Sequence, residues 1–77
     1  MKEFIEFIVK HLVDHPDNVN IEENRPEENK VVLSLKVNAE DVGKVIGKQG
    51  KTAQAMRTLL TAIAAKEGKR AILEIID

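Results

Sequence analysis

His11 and His15 stand four residues apart, the spacing at which two imidazoles on one helical face can share a zinc ion. The only carboxylate close by in sequence, Asp14, falls on another part of the helical wheel, and cationic side chains near a helix C-terminus are favoured by the dipole in any case. Both histidines are therefore read as surface or structural residues, and no metal is expected. The string GKQGKT, Gly47 to Thr52, ends like a nucleotide phosphate loop. Such a loop requires a glycine five residues before its second glycine, where this chain has Val45, and no acid after a downstream strand offers a magnesium site. Glu22, Glu23, Glu27 and Glu28 supply carboxylates in number, but in a polar, loop-like context that reads as a solvated acidic edge. None of these sets assembles a base, a nucleophile and a charge stabiliser, so no enzyme activity and no cofactor are expected.

The segment DVGKVIGKQGKTAQAMR, Asp41 to Arg57, is chemically more specific. Two helical patterns meet through Gly47, Lys48, Gln49 and Gly50, a connection short enough to demand a tight turn. Glycine at both ends permits left-handed backbone angles and lets a partner's backbone approach without meeting a side chain. The turn leads into a helix N-terminus, where unpaired amides and the positive dipole end favour a phosphate. Lys48 and Lys51 add charge, while Val42, Val45 and Ile46 offer an apolar floor shared with the core.

The elements that must position this turn follow from periodicity. Phe4, Ile5, Ile8, Val9, Leu12 and Val13 recur at helical spacing, predicting a helix that stops near His15, because Pro16 disfavours helical angles in the residue before it. Val19 and Ile21 alternate with Asn20 and Glu22 as a short edge strand, and ENRPEEN, Glu23 to Asn29, reads as a loop. Val31, Leu33, Leu35 and Val37 occupy one face of a second strand. Asn38 is a good N-cap for the helix carrying Val42, Val45 and Ile46, with Glu40 and Asp41 in its first turn. Ala53, Met56, Leu59, Leu60, Ile63 and Ala64 form the buried arc of the next helix, with Gly68 as its stop. Arg70 to Ile76 closes the chain as a strand with apolar residues on both faces, expected to be partly covered on each. The order is helix, strand, strand, helix, helix, strand, an α+β two-layer arrangement in which the helix pair crosses over between parallel strands.

A length of 77 residues suits one domain and leaves no room for two lobes around a cleft. The absence of cysteine removes disulfides, thiolate metal sites and thiol nucleophiles together, and suits a reducing cytoplasm. No apolar run approaches the roughly 18 residues of a membrane span, and the charged start MKEFIEFIVKHLVDH is unlike a signal peptide, so a cytoplasmic protein without membrane insertion is expected. The net charge of −1 conceals a polarity: residues 1–41 carry five basic against ten acidic groups, residues 42–77 seven against three. No acid occurs between Val42 and Lys66, so a polyanion would be drawn to the stretch that holds the glycine turn.

VIGKQG, Val45 to Gly50, resembles the V/I-I-G-x-x-G signature of KH domains, and the element order resembles their type II arrangement. From the first helix through HPDNV and GKVIGKQGKTAQAMRTLL to the last strand, the chain resembles the small bacterial single-KH proteins of the KhpA type over residues 1–77. The resemblance implies a type II KH fold, with a three-stranded mixed sheet and three helices on one face. It also implies a protein that binds single-stranded RNA, gripping about four nucleotides, as an RNA chaperone or post-transcriptional regulator. The implied RNA-binding set is Lys44, Val45, Ile46, Gly47, Lys48, Gln49, Gly50, Lys51 and Gln54. Many KH domains have isoleucine three residues after the second loop glycine, where this chain has Ala53, and its only aromatics, Phe4 and Phe7, lie outside the motif, so a stacking platform is missing there.

Partners follow from the same resemblance and from the third helix. Ala55, Leu59 and Ala62 recur along one edge of its arc, small residues flanking a leucine, and with the resemblance to known dimers they imply a homodimer. A larger RNA-binding protein with its own KH domain is the implied heteromeric partner. The competing reading is a KH scaffold serving as a protein-interaction module in cell-division or envelope regulation, with RNA contact secondary; the intact GKQG and its two lysines weigh against it.

Overall fold

Alternation of apolar and polar residues through Val31 to Val37 makes this segment the middle of the sheet, with Val31, Leu33 and Leu35 wholly buried and Lys36 exposed on the other side. The computed structural model describes residues 1–76 and contains α1 (Lys2–Leu12), β1 (Asn20–Glu27), β2 (Lys30–Lys36), α2 (Val42–Ile46), α3 (Lys51–Lys66) and β3 (Arg70–Ile76). The sheet order is β1-β2-β3, with β1 antiparallel to β2 and β3 parallel to it. Parallel neighbours need a long crossover, and α2 with α3 supplies it. This is the α+β arrangement expected from the sequence.

All three helices pack on one face. Ile5 and Val9 of α1, Val45 of α2 and Met56 and Leu60 of α3 meet Ile21, Val31, Leu33, Leu35 and Leu73 of the sheet in a single cluster. Each of these large side chains contributes roughly 1.5–3 kcal/mol by burial, which in a cysteine-free chain this small is the main source of stability. The opposite face carries Glu22, Ser34 and Glu74 side by side in register, with Ser34 Oγ donating to Glu74 Oε1 at 3.3 Å. Among the described residues, no helix is long and apolar enough to cross a membrane.

Four expectations are corrected. α1 ends at Leu12 rather than near His15: the Val13 N–H still donates to the Val9 carbonyl, but Val13 is extended (φ −97°, ψ 159°). β1 runs on to Glu27 through what reads as a loop, because the ladder to β2 continues. Asn24 pairs with Val32 and Glu27 with Lys30, so Arg25 and Pro26 together oppose Val31 in a bulge that accommodates a proline with no N–H to give. Leu59 is 48% exposed and leaves the buried arc of α3, which consists of Ala53, Met56, Leu60 and Ala64. Finally, Ile72 and Ile76 are 36% and 44% exposed, since they lie on the sheet face that no helix covers.

Candidate nucleic-acid interface

The GKQG turn is built from residues that hold positive φ. α2 stops at Gly47, whose N–H donates to the Gly43 carbonyl at 2.9 Å and whose φ of 78° with ψ of 173° lies in a region essentially reserved for glycine. Lys48 to Gly50 make one tight turn, closed by the Gly50 N–H on the Gly47 carbonyl at 3.1 Å. Gly50 is left-handed (φ 74°, ψ 11°) and forms the N-cap of α3. Between the glycines, Gln49 also sits at φ 58°, the one non-glycine with positive φ among the described residues. A non-glycine there costs roughly 1–2 kcal/mol, so the loop tip stores strain. Thr52, in the first turn of α3, lies directly under Gly47: a Cβ on Gly47 would stand 2.2 Å from its Oγ1.

Side chains divide by exposure. Lys48, Gln49, Lys51 and Gln54 are exposed around the turn, and Gly47 and Gly50 are half-buried. Ile46 is half-buried and keeps surface beside the turn; Val45 is wholly buried and holds α2 to the core from beneath. Ala53 is buried as well. Lys48 and Lys51 form no ion pair among the described residues, and α3, with glycine at its N-cap, has no side chain capping its first amides. The result is a short exposed bend leading into helix amides that no side chain caps, with two ammonium groups unpaired among the described residues and one apolar side chain.

Lys44 differs from the other two lysines. Its Nζ donates to Asp14 Oδ2 and stands 3.9 Å from Asp41 Oδ1. The hydrogen bond from Lys44 and its charge hold the Asp14 carboxyl below the usual carboxylate range, and the same hydrogen bond raises Lys44. Asp41 is 1% exposed, and its two oxygens accept the backbone N–H groups of Asp14 at 3.2 Å and His15 at 3.0 Å. These are the donors freed where α1 ends early, so a single buried carboxylate ties the α1–β1 corner to the start of α2. Sequence reading placed Asp41 in a first helical turn and missed this role; Asn38 does cap as expected, its Oδ1 accepting the Glu40 N–H at 2.9 Å. His11 Nδ1 lies 2.8 Å from the Phe7 carbonyl oxygen, with the two rings 4.5 Å apart.

On α3, Ala55, Leu59 and Ala62 are all exposed, away from the sheet. Arg57 turns the other way, and its Nε donates to the Leu73 carbonyl of β3 at 3.3 Å, covering an edge-strand acceptor.

Two helices joined by a GxxG turn, against a three-stranded mixed sheet in the order α-β-β-α-α-β, define a KH domain of type II. The family model described as KhpA/KhpB, KH domain, matches residues 2–75, and the chain belongs to that family. It is 53% identical over 76 residues to the RNA-binding protein KhpA of Clostridium perfringens, covering 99% of this chain and 100% of that protein. Against the RNA-binding protein KhpA of Aquifex aeolicus the identity is 48% over 77 residues, covering 100% of this chain and 96% of the relative. Against that of Chlamydia trachomatis it is 43%, covering 100% and 97%. No solved structure matches the chain.

Proposed function

We propose that this protein binds single-stranded RNA through the GKQG turn and the N-terminus of α3, gripping about four nucleotides, and serves as an RNA chaperone or post-transcriptional regulator. The observation that carries this reading is the turn itself: glycine φ angles of 78° and 74° flank two exposed side chains at the uncapped start of a 16-residue helix. Amides there donate to phosphate oxygens, Lys48 and Lys51 add charge, and Ile46 gives a sugar or base an apolar contact. We assign Lys44 and Gln54 to the two flanks of the same surface. In the same reading the protein works as a homodimer through Ala55, Leu59 and Ala62, since Leu59 at 48% exposure has no cover in its own domain. A larger RNA-binding protein with its own KH domain is the heteromeric partner in this reading.

The test is Lys48→Asp with Gln49→Asp. Aspartate tolerates the left-handed angles of position 49 better than most residues, so the double variant should fold, which circular dichroism checks. Titrating fluorescent single-stranded RNA should then show binding lost to a similar degree across RNA sequences, because amide and lysine contacts to phosphate carry no base identity. Residual binding should also be less salt-sensitive, by about 0.7 in log-log slope for each phosphate contact removed. Affinity equal to that of the unmutated protein would remove the turn from the mechanism.

A further inference from the structure

Lys44, Lys48 and Lys51 lie within eight residues around the glycine turn, yet among the described residues only Lys44 is engaged by acids. Its partners come from the acidic half of the chain and from two different places: Asp41 at the start of its own helix, and Asp14 from the corner after α1. The two acids are not equivalent. Asp41 is buried and already accepts two backbone N–H groups, so it is fixed in place. Among the described residues the Asp14 side chain accepts only from Lys44; it is 70% exposed and Lys44 is 45% exposed. Asp14 is thus an exposed anion occupying the position on an exposed ammonium that a phosphate would take. Its backbone is pinned by the N–H bond to Asp41, which keeps the carboxylate near Lys44 at high effective concentration.

We propose that Asp14 competes with RNA phosphate for Lys44, so that an acid from the α1–β1 corner sets how tightly the glycine-turn surface holds RNA. The proposal rests on the RNA-binding reading above. An incoming phosphate must displace an intramolecular carboxylate before gaining Lys44, which costs affinity for any polyanion; Lys48 and Lys51 carry no such cost. The aspartate therefore restrains binding to short or nonspecific strands, and Lys44 is recruited only when a strand already held at the turn delivers a phosphate beside it.

Asp14→Asn tests this cleanly, because it keeps the backbone N–H that bonds Asp41 and removes only the competing charge. Asp17→Asn, in the same corner and without a lysine partner among the described residues, controls for the general loss of a negative charge. With fluorescent single-stranded RNA at low salt, Asp14→Asn should bind about two- to five-fold tighter than the unmutated protein, the range of an exposed ion pair. Its salt slope should be steeper by about 0.7, one added phosphate contact, with Asp17→Asn showing a smaller gain and no change of slope. Repeated in a Lys44→Ala background, the Asp14→Asn gain should vanish. Equal effects of the two asparagine variants, or a gain that persists without Lys44, would overturn the competition while leaving the turn as the RNA site. If the unmutated protein binds RNA no better than the double-aspartate turn variant, both the RNA reading and the competition fail.

Discussion

The two glycines of the turn share a positive φ but sit in different surroundings, and exchanging each for alanine should separate what the fold needs from what RNA needs. At Gly47 an added Cβ would stand 2.2 Å from Thr52 Oγ1, 2.6 Å from Thr52 Cβ and 2.9 Å from Thr52 N. Rotating the threonine relieves only the first contact; the other two atoms are fixed by the first turn of α3. The φ of 78° with ψ of 173° adds strain of about 1–3 kcal/mol for any side chain. Gly47→Ala must therefore change the turn or shift α3, at a total of roughly 3 kcal/mol or more once the overpacking cost is included. At Gly50 a Cβ meets nothing within 4 Å, and only the left-handed angles count against it, about 1–2 kcal/mol. With a urea m-value of about 1 kcal/mol/M for a domain this small, the unfolding midpoint should fall by roughly 1–2 M for Gly50→Ala and by 3 M or more for Gly47→Ala. RNA binding should divide differently. In the proposed binding mode a sugar-phosphate backbone comes close to the α3 amides through the open space over Gly50, so Gly50→Ala, although folded, should bind RNA markedly more weakly. Equal midpoint shifts for the two variants would refute the argument from Thr52, and unchanged RNA affinity in Gly50→Ala would refute the close approach.

Asp41→Asn removes a carboxylate that accepts two backbone N–H groups and leaves an amide able to accept only through its oxygen, so it should cost about 2–4 kcal/mol in urea unfolding. Hydrogen exchange at Asp14 and His15 should quicken with it, and an unchanged midpoint would deny Asp41 its tying role. Leu59→Asp should give a folded monomer, read by light scattering against a dimeric unmutated protein; a monomeric unmutated protein at high micromolar concentration would remove the α3 face from the proposal.

Local signals were strong where neighbours in sequence decide the outcome. The period-two run through Val31 to Val37, the helical spacing of Ile5 and Val9, the cap at Asn38 and the glycine pair at 47 and 50 each state their geometry within a few residues. What was hidden depends on contacts distant in the chain. β1 extends to Glu27 because β2 offers it a ladder, which no feature of ENRPE announces. Asp41 looks like any first-turn acid until the corner at residues 14 and 15, 26 and 27 positions away, brings its free N–H groups. Leu59 fits the helical period of the buried arc as well as Leu60 does, and only the way α3 packs on the rest of the domain leaves Leu60 covered and Leu59 exposed. The early end of α1 and the burial of Asp41 are two sides of one event, because the donors released by the first are those used by the second.

The polarity of charge along the chain takes a specific form once folded. A surplus of basic groups in residues 42–77 suggests a broad attractive field, but Lys66 lies at the far end of a 16-residue helix from Lys51, about 22 Å away at 1.5 Å per residue. That is well beyond the roughly 8 Å over which exposed charges act at physiological ionic strength. Arg57 is drawn to the β3 edge and Lys44 is answered by Asp14 and Asp41. A strand lying on the turn therefore meets two uncommitted ammonium groups, Lys48 and Lys51, together with amides that carry no net charge. At this range the local groups outweigh the net charge, so a value of −1 does not oppose the proposed contact with a polyanion. Two lysine contacts to single-stranded RNA correspond to a log-log salt slope near −1.4. A measured slope of −3 or steeper would mean that the contact surface reaches well beyond the turn, to the lysines at the far end of α3 or to those of a second subunit.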